Sequence, residues 1–203
     1  MKKSTLWIFV LILQSSLGFG QIKPIRVGAT MPKQTEKMLD ISGKEINLQG
    51  ASKGNGILVI FISNACVQVD QYENRITNLI DFSNKLNIGM LLINSNEAAR
   101  KKEESIQQMQ AYAIDKRINC YYTLDTSSAV ANAFGASKTP ECFLFDKQYH
   151  LIYHGAIDDN AMSVSAVSIN YLTEAMTALA SGKAIQTNET KVVGCRIMRK
   201  PKG

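Results

Sequence analysis

Ile57-Leu-Val-Ile-Phe-Ile-Ser-Asn-Ala-Cys66 is the stretch whose reading decides the fold. Ile57 to Ile62 is an unbroken β-branched, aliphatic and aromatic run with no polar position for a solvent-facing side. A strand of that kind belongs at the centre of a sheet covered on both faces. Lys53-Gly-Asn-Gly56 supplies the turn before it, and Cys66 follows it by a few residues. Beyond the cysteine, Val69, Tyr72, Ile76, Leu79, Ile80 and Phe82 fall near helical spacing and predict a helix over about 67–86. Cys66 therefore stands between a central strand and a helix N-terminus. Unpaired backbone N–H groups and the helix dipole stabilise a thiolate there and lower the thiol pKa. The competing reading is a buried, inert cysteine, a common fate for this residue type.

Working outward, Gly89 breaks the chain and Met90-Leu-Leu-Ile93 forms a second buried strand. Glu97 to about Ile114 reads as a helix, with an acidic residue near its start and Ile106, Met109 and Ala113 on one face. Tyr121 to Leu124 is a short strand. Thr126 or Ser127 caps a short helix, Ser128 to Phe134, that Gly135 stops. Cys142-Phe-Leu-Phe145 and Leu151-Ile-Tyr153 form a hairpin through Asp146-Lys-Gln148. Tyr171 to Ala180 makes the last helix, ended by Gly182. An extended lead-in over about 21–49 is punctuated by Met31-Pro32 and Ser42-Gly43-Lys44. This order predicts an α/β domain with a central mixed β-sheet flanked by helices, with no internal repeat and no second domain.

The first residues read as an export signal. Lys2 and Lys3 form a positive n-region, Leu6 to Leu13 an apolar core, and Gly18 and Gly20 the small residues of a cleavage site before Gln21. The apolar run is short for a permanent membrane helix, and no cysteine follows the site to accept a lipid. The expected organisation is a signal peptide over 1–20 cut after Gly20, one domain over 21–184 and a basic C-terminal tail over 185–203. The expected location is periplasmic or secreted, and soluble after export. Loss of Lys2 and Lys3 takes the formal charge from +6 to +4, a mild excess concentrated in Lys191, Arg196, Arg199, Lys200 and Lys202. That tail reads as a solvated terminus. It lacks the aromatic interleaving of single-strand binders, so no nucleic-acid partner is expected.

Export places Cys66, Cys120, Cys142 and Cys195 where disulfides form. Their spacing fits no zinc pattern, and His150 and His154 share a strand face without a third ligand, so neither metal nor cofactor is expected. Cys142 lies two residues past Pro140, on the same face of a strand, and is either a redox partner or a core residue between Phe143 and Phe145. Cys195 lies in a tail able to swing towards Cys66, and Cys120 reads as packing. Asp158-Asp159 reads as a cap or solvated pair, with cation binding as the alternative. Thr139-Pro140 precedes a strand, where a proline without an N–H is tolerated. Patterning alone makes its peptide bond an ordinary trans one.

Several segments together resemble the redoxin-type, peroxiredoxin-like branch of the thioredoxin-fold superfamily, the alkyl hydroperoxide reductase/thiol-specific antioxidant group. Phe61-Ile-Ser-Asn-Ala-Cys66 resembles the thioredoxin approach to the active site. Thr139-Pro-Glu-Cys-Phe-Leu-Phe-Asp146 resembles the segment bearing that fold's cis-proline. Val27-Gly-Ala-Thr-Met-Pro32 and Gly43 to Leu48 resemble the N-terminus of the antioxidant group. Ile93-Asn-Ser-Asn96, Gly155-Ala-Ile-Asp-Asp-Asn160 and Glu189-Thr-Lys-Val-Val-Gly-Cys195 resemble a bacterial subfamily of it. The resemblance covers nearly the whole chain after the leader.

It implies a thioredoxin-like fold, a cis Pro140 beside Cys66, and thiol-disulfide oxidoreductase activity on protein or small-molecule thiols and disulfides. Cys66 would be the attacking thiolate, Thr139 and Pro140 would shape the groove, and Cys195 or Cys142 would be the resolving cysteine. The departures are specific. Cys66-Val-Gln-Val69 lacks the second cysteine of Cys-x-x-Cys, and Val67 stands where the subfamily carries proline. Ser63 fits the Ser-x-x-Cys half of the peroxidatic motif, but Val59 holds its proline position and no arginine lies near Thr139-Pro140 in sequence. A redox-inactive binding module and a divergent thiol peroxidase are the alternatives.

Overall fold

The computed structural model describes residues 22–201; the expected leader, Lys2 to Gly20, lies outside the described residues. β1 (Met38–Asp40) and β2 (Glu45–Ile46) form a small hairpin, and α1 (Leu48–Ala51) follows under an Asn47 cap whose Oδ1 accepts from Gly50 N at 2.7 Å. β3 (Ile57–Ile62) is buried at every residue, as its unbroken apolar run requires. Leu58, Ile60 and Ile62 enter one core, and Ile57, Val59 and Phe61 enter the other.

The helix expected over 67–86 is two pieces, α2 (Val67–Gln71) and α3 (Glu73–Lys85), separated at Tyr72 (φ −93°, ψ 1°). At the break Tyr72 turns inward and donates to the buried Asp158 at 3.2 Å. Arg75 closes over its ring and reaches Asp158 at 2.6 Å. β4 (Gly89–Asn94) follows. The helix expected from Glu97 begins only after Ser105, as α4 (Ile106–Asp115), with a 3-10 turn at Glu97–Ala99 before it. The intervening residues curl to carry Glu104 into the interior, a direction that a continuous helical register does not provide.

β5 (Tyr121–Leu124) leads to α5 (Ala129–Phe134). The cap expected from Thr126 or Ser127 comes instead from Asp125, whose two carboxylate oxygens accept from Val130 N and Ala131 N, each at 2.9 Å. β6 (Lys138–Thr139), β7 (Glu141–Phe145) and β8 (Leu151–Gly155) follow, then α6 (Tyr171–Ala180) and β9 (Cys195–Arg196).

The sheet order is β2-β1-β5-β4-β3-β7-β8, with β3, β4 and β5 parallel and the outer pairings antiparallel. This is the expected mixed sheet flanked by helices. On one face Phe61, Phe134, Phe143 and Phe145 meet edge-to-face at 5.2–5.7 Å between ring centres. Each such pair is worth about 0.5–1.5 kcal/mol beyond its buried area. No described helix is long and apolar enough to cross a membrane.

Candidate functional site

The C-terminal end of β3 delivers a short loop, Ser63 to Ala65, and then Cys66 as the N-cap of α2. That loop is fastened from beneath by Glu104, which is fully buried. Ser63 Oγ donates to Glu104 Oε1, while Asn64 N (3.1 Å) and Asn94 Nδ2 (2.5 Å) donate to Oε2. Tyr122 Oη donates to Asn64 Oδ1 at 2.6 Å and completes the brace. Its effect is to fix the backbone that carries Cys66.

β6 comes to the same place from the other side. The Thr139-Pro140 bond is cis, as the resemblance implied and patterning alone did not. The Thr139 carbonyl lies 3.2 Å from Cys66 Sγ, so a reduced Cys66 has an acceptor for its thiol proton there. Glu141 holds this edge: its Oε2 accepts from Ser137 N (2.7 Å) and Lys138 N (2.9 Å), and its Oε1 lies 2.8 Å from His154 Nε2. Glu141 and His154 are both buried, and the imidazole packs on Phe143 at 4.6 Å.

The third component is the end of the chain. β9 pairs antiparallel with β6, placing Cys195 opposite Thr139 and Arg196 opposite Lys138. Cys195 is disulfide-bonded to Cys66 across 129 residues, with a Cα separation of 5.9 Å within the ordinary disulfide range. The surrounding segment is tied down on both sides, as a strap. Before Cys195, His154 N donates to Asn188 O and Thr190 N to His154 O, both at 3.0 Å, and Thr190 Oγ1 accepts from Ala156 N at 2.9 Å. After it, Ile197 is buried, Met198 N donates to Asn96 Oδ1 at 2.9 Å, Arg199 Nε to Asn132 Oδ1 at 2.7 Å and Lys200 Nζ to Glu97 Oε1 at 2.8 Å. Arg199 and Lys200 thus have partners on the domain, with the Lys200 side chain still 62% exposed.

Gly194 makes this seat possible. A Cβ at that residue would lie 2.2 Å from the Thr139 carbonyl oxygen, a backbone atom. Gly194→Ala is expected to loosen the strap and weaken the disulfide by about 1–3 kcal/mol, the usual cost of an overpacked contact. Dithiothreitol titration with thiol trapping reads the change; an unaltered midpoint means that the strap does not sit on Thr139.

The other sequence candidates fall elsewhere. Cys142 is a free, fully buried thiol on β7, opposite Ile60 on one side and Gly155 on the other. Burial pushes its pKa well up, and the charges of Glu141 and Asp158 add to this. Cys120 is also free, its thiol pushed up to about 12 by burial and by Asp40. Asp158 pairs with Arg75, and Asp159 accepts from Ser168 N at 3.0 Å. His150 is exposed near Asp146, away from the buried His154 contact. No metal-binding group of three or more His, Cys, Asp or Glu residues occurs among the described residues. Glu104 was hidden in sequence by its place in an apparent helix. Glu141 had a signal, its position directly after Thr139-Pro140.

Comparison with known proteins agrees with this geometry. The chain matches the AhpC/TSA family over residues 27–154. A hypothetical protein from Sinorhizobium meliloti 1021 is similar at 28% identity and a TM-score of 0.81, covering 89% of this chain and 98% of its own. An uncharacterized conserved protein from Geobacillus kaustophilus shares 23% identity with a TM-score of 0.81, covering 88% of this chain and 94% of its own. The thioredoxin domain of a thiol-disulfide oxidoreductase from Bacteroides vulgatus shares the fold, with a TM-score of 0.54 at 12% identity over 64% of this chain and 88% of its own. No curated protein matches. With a family match over most of its length and a thioredoxin-like arrangement around Cys66 and Thr139-Pro140, the chain belongs to the AhpC/TSA family.

Proposed function

We propose that the protein is an exported thiol-disulfide oxidoreductase in which Cys66 is the attacking thiolate and Cys195 its resolving partner. The observation that carries this reading is the disulfide joining the two residues beside the Thr139 carbonyl. The reaction has two exchanges. The Cys66 thiolate attacks one sulfur of a substrate disulfide, forming a mixed disulfide and releasing the other sulfur as a thiolate. The Cys195 thiolate then attacks the Cys66 sulfur, forming Cys66–Cys195 and releasing the second substrate thiolate. The substrate disulfide is reduced to two thiols and the protein dithiol is oxidised. Two equivalents of an external thiol reset the pair: the first forms a mixed disulfide at Cys195 and releases Cys66 as a thiolate, and the second displaces Cys195 and leaves as the external disulfide. The first attacks at the half-buried Cys195, since Cys66 is only 1% exposed while the strap is seated.

In this reading Thr139 and Pro140 shape the groove, and Cys195 supplies what the absent second cysteine of Cys-x-x-Cys would have done. The leader over 1–20 takes the protein to the periplasm or the exterior, the thioredoxin-like domain spans 21–184, and the basic segment over 185–203 contributes the strap. Substrates are protein or small-molecule thiols and disulfides.

Cys66→Ser is expected to abolish disulfide reduction with dithiothreitol as donor, by at least about 1,000-fold, because a hydroxyl is no substitute for the thiolate nucleophile. Cys195→Ser, reduced and then freed of dithiothreitol, should instead accumulate a mixed disulfide at Cys66 on exposure to a substrate disulfide, visible as an added mass on the intact chain. Retained turnover in Cys66→Ser would reject the assignment. A Cys66 inert in the folded protein would leave a redox-inactive binding module. The family match and Ser63 favour one second reading, a thiol peroxidase, in which peroxide oxidises Cys66 to a sulfenate. Peroxide consumption unaffected by Cys66→Ser eliminates it.

A further inference from the structure

The last strand of the chain occupies the groove bordering Cys66, and its register there imposes a chemical requirement. Cys195 faces Thr139, and Gly194 rests on the Thr139 carbonyl, where a Cβ would stand 2.2 Å from the oxygen and 2.7 Å from the carbonyl carbon. These are backbone atoms and cannot rotate away. Nor is β6 free to retreat, because the buried Glu141 holds Ser137 N and Lys138 N from behind and is itself engaged by His154. Two further contacts are undemanding: Lys138 Nζ donates to the Val192 carbonyl and Ile197 N donates to the Ser137 carbonyl, both at 3.0 Å, through main-chain groups of the strap that almost any residue offers. The side chains of Val193 and Arg196 are exposed and contribute little selection. The groove therefore recognises an extended main chain, one sulfur and one missing Cβ, with an apolar side chain at the position of the buried Ile197 as a further anchor.

We infer that the groove takes, in exchange with the strap, an extended protein segment carrying glycine directly before a disulfide-bonded cysteine. This rests on the thiol exchange proposed above and adds its substrate class. The Cys66 thiolate attacks the segment's cysteine sulfur. The Cys66–segment disulfide forms as the segment's bond to its former partner breaks, and that partner leaves as a thiolate. Segment and strap use the same edge, so Cys195 reaches Cys66 only as the strap replaces the segment. The Cys195 thiolate then displaces the segment thiolate from Cys66. Resolution and product release are one event. A segment with any Cβ before its cysteine is lifted from Thr139, and its sulfur with it, away from Cys66.

The test uses the reduced full-length Cys195→Ser chain and two hexapeptides, Val-Val-Gly-Cys-Arg-Ile and Val-Val-Ala-Cys-Arg-Ile, each bearing thionitrobenzoate on its cysteine. The release rate of the coloured thiolate reports attack by Cys66. The glycine peptide should react at least about tenfold faster, a difference of about 1.4 kcal/mol in transition-state free energy. Free glutathione should attack both peptides equally. Reduced wild-type protein, which needs no substitution, should show the same preference in its first turnover. Equal rates at a reactive Cys66 would overturn the glycine requirement and leave the exchange chemistry standing. Failure of Cys66 to react with either peptide, or with a small aromatic disulfide, would overturn both.

Discussion

Reduction of the Cys66–Cys195 bond is expected to cost the fold about 5 kcal/mol and to lower its melting temperature by about 10–20 °C. The bond closes a loop of 129 residues, which includes most of the domain. In the chain-entropy view, releasing so long a loop restores much freedom to the unfolded chain, and the cost grows only slowly with length. Thermal unfolding with and without dithiothreitol measures it. Cys195→Ser should show the reduced protein's melting temperature in both conditions. A wild-type melting temperature indifferent to reductant would mean that the bond is absent in solution. The backbone and side-chain contacts of the strap remain after reduction, so the fold should persist at moderate temperature with the strap easier to displace.

Glu104→Ala is expected to destabilise the protein by about 3–5 kcal/mol, because it leaves buried donors without an acceptor. The donors concerned are the Ser63 hydroxyl, Asn64 N and Asn94 Nδ2, all converging on one buried carboxylate. Glu104→Gln keeps an acceptor oxygen and the shape, and should cost about 1–2 kcal/mol. Urea unfolding monitored at constant slope distinguishes the two. Because the carboxylate fastens the loop before Cys66, the alanine variant should also reoxidise to the Cys66–Cys195 form more slowly than wild type. A cost below about 1 kcal/mol for Glu104→Ala would mean that the Ser63 loop does not depend on this brace.

The central sheet was legible because its strands carry unmistakable patterns. Ile57–Ile62 has no polar alternation, and buried strands read as continuous apolar runs. Tyr171–Ala180 and its Gly182 stop were read directly, as was the hairpin at Asp146 to Gln148. What escaped were features set by side chains meeting across the chain. The break at Tyr72 accompanies contacts with Asp158, far away in sequence. The late start of α4 follows from Glu104 turning inward to Ser63 and Asn94. Asp125, rather than Thr126 or Ser127, caps α5.

At the site, Cys66 was legible from its place after the strand, and Thr139-Pro140 from resemblance more than from pattern. The strap was the least legible part. Lys191, Arg196, Arg199 and Lys200 give it the composition of a solvated terminus, yet it is held largely through backbone hydrogen bonds that composition does not report. Beside Cys195 itself, a main feature of its seat is an absence, the missing Cβ of Gly194, and a single glycine in a tail carries no periodicity to read.

Whether Cys66 and Cys195 act as a redox pair is read out by thiol trapping at graded pH followed by peptide mass spectrometry. The untreated folded protein should yield the Cys66 and Cys195 peptides linked to each other, with Cys120 and Cys142 trapped as free thiols only after denaturation. After mild reduction, Cys66 should alkylate readily below neutral pH, while Cys142, buried and with its thiol pKa pushed up, stays unmodified until the protein unfolds. Unlinked Cys66 and Cys195 in the oxidised protein, together with a Cys66 that resists alkylation in the folded reduced chain, would contradict the pairing.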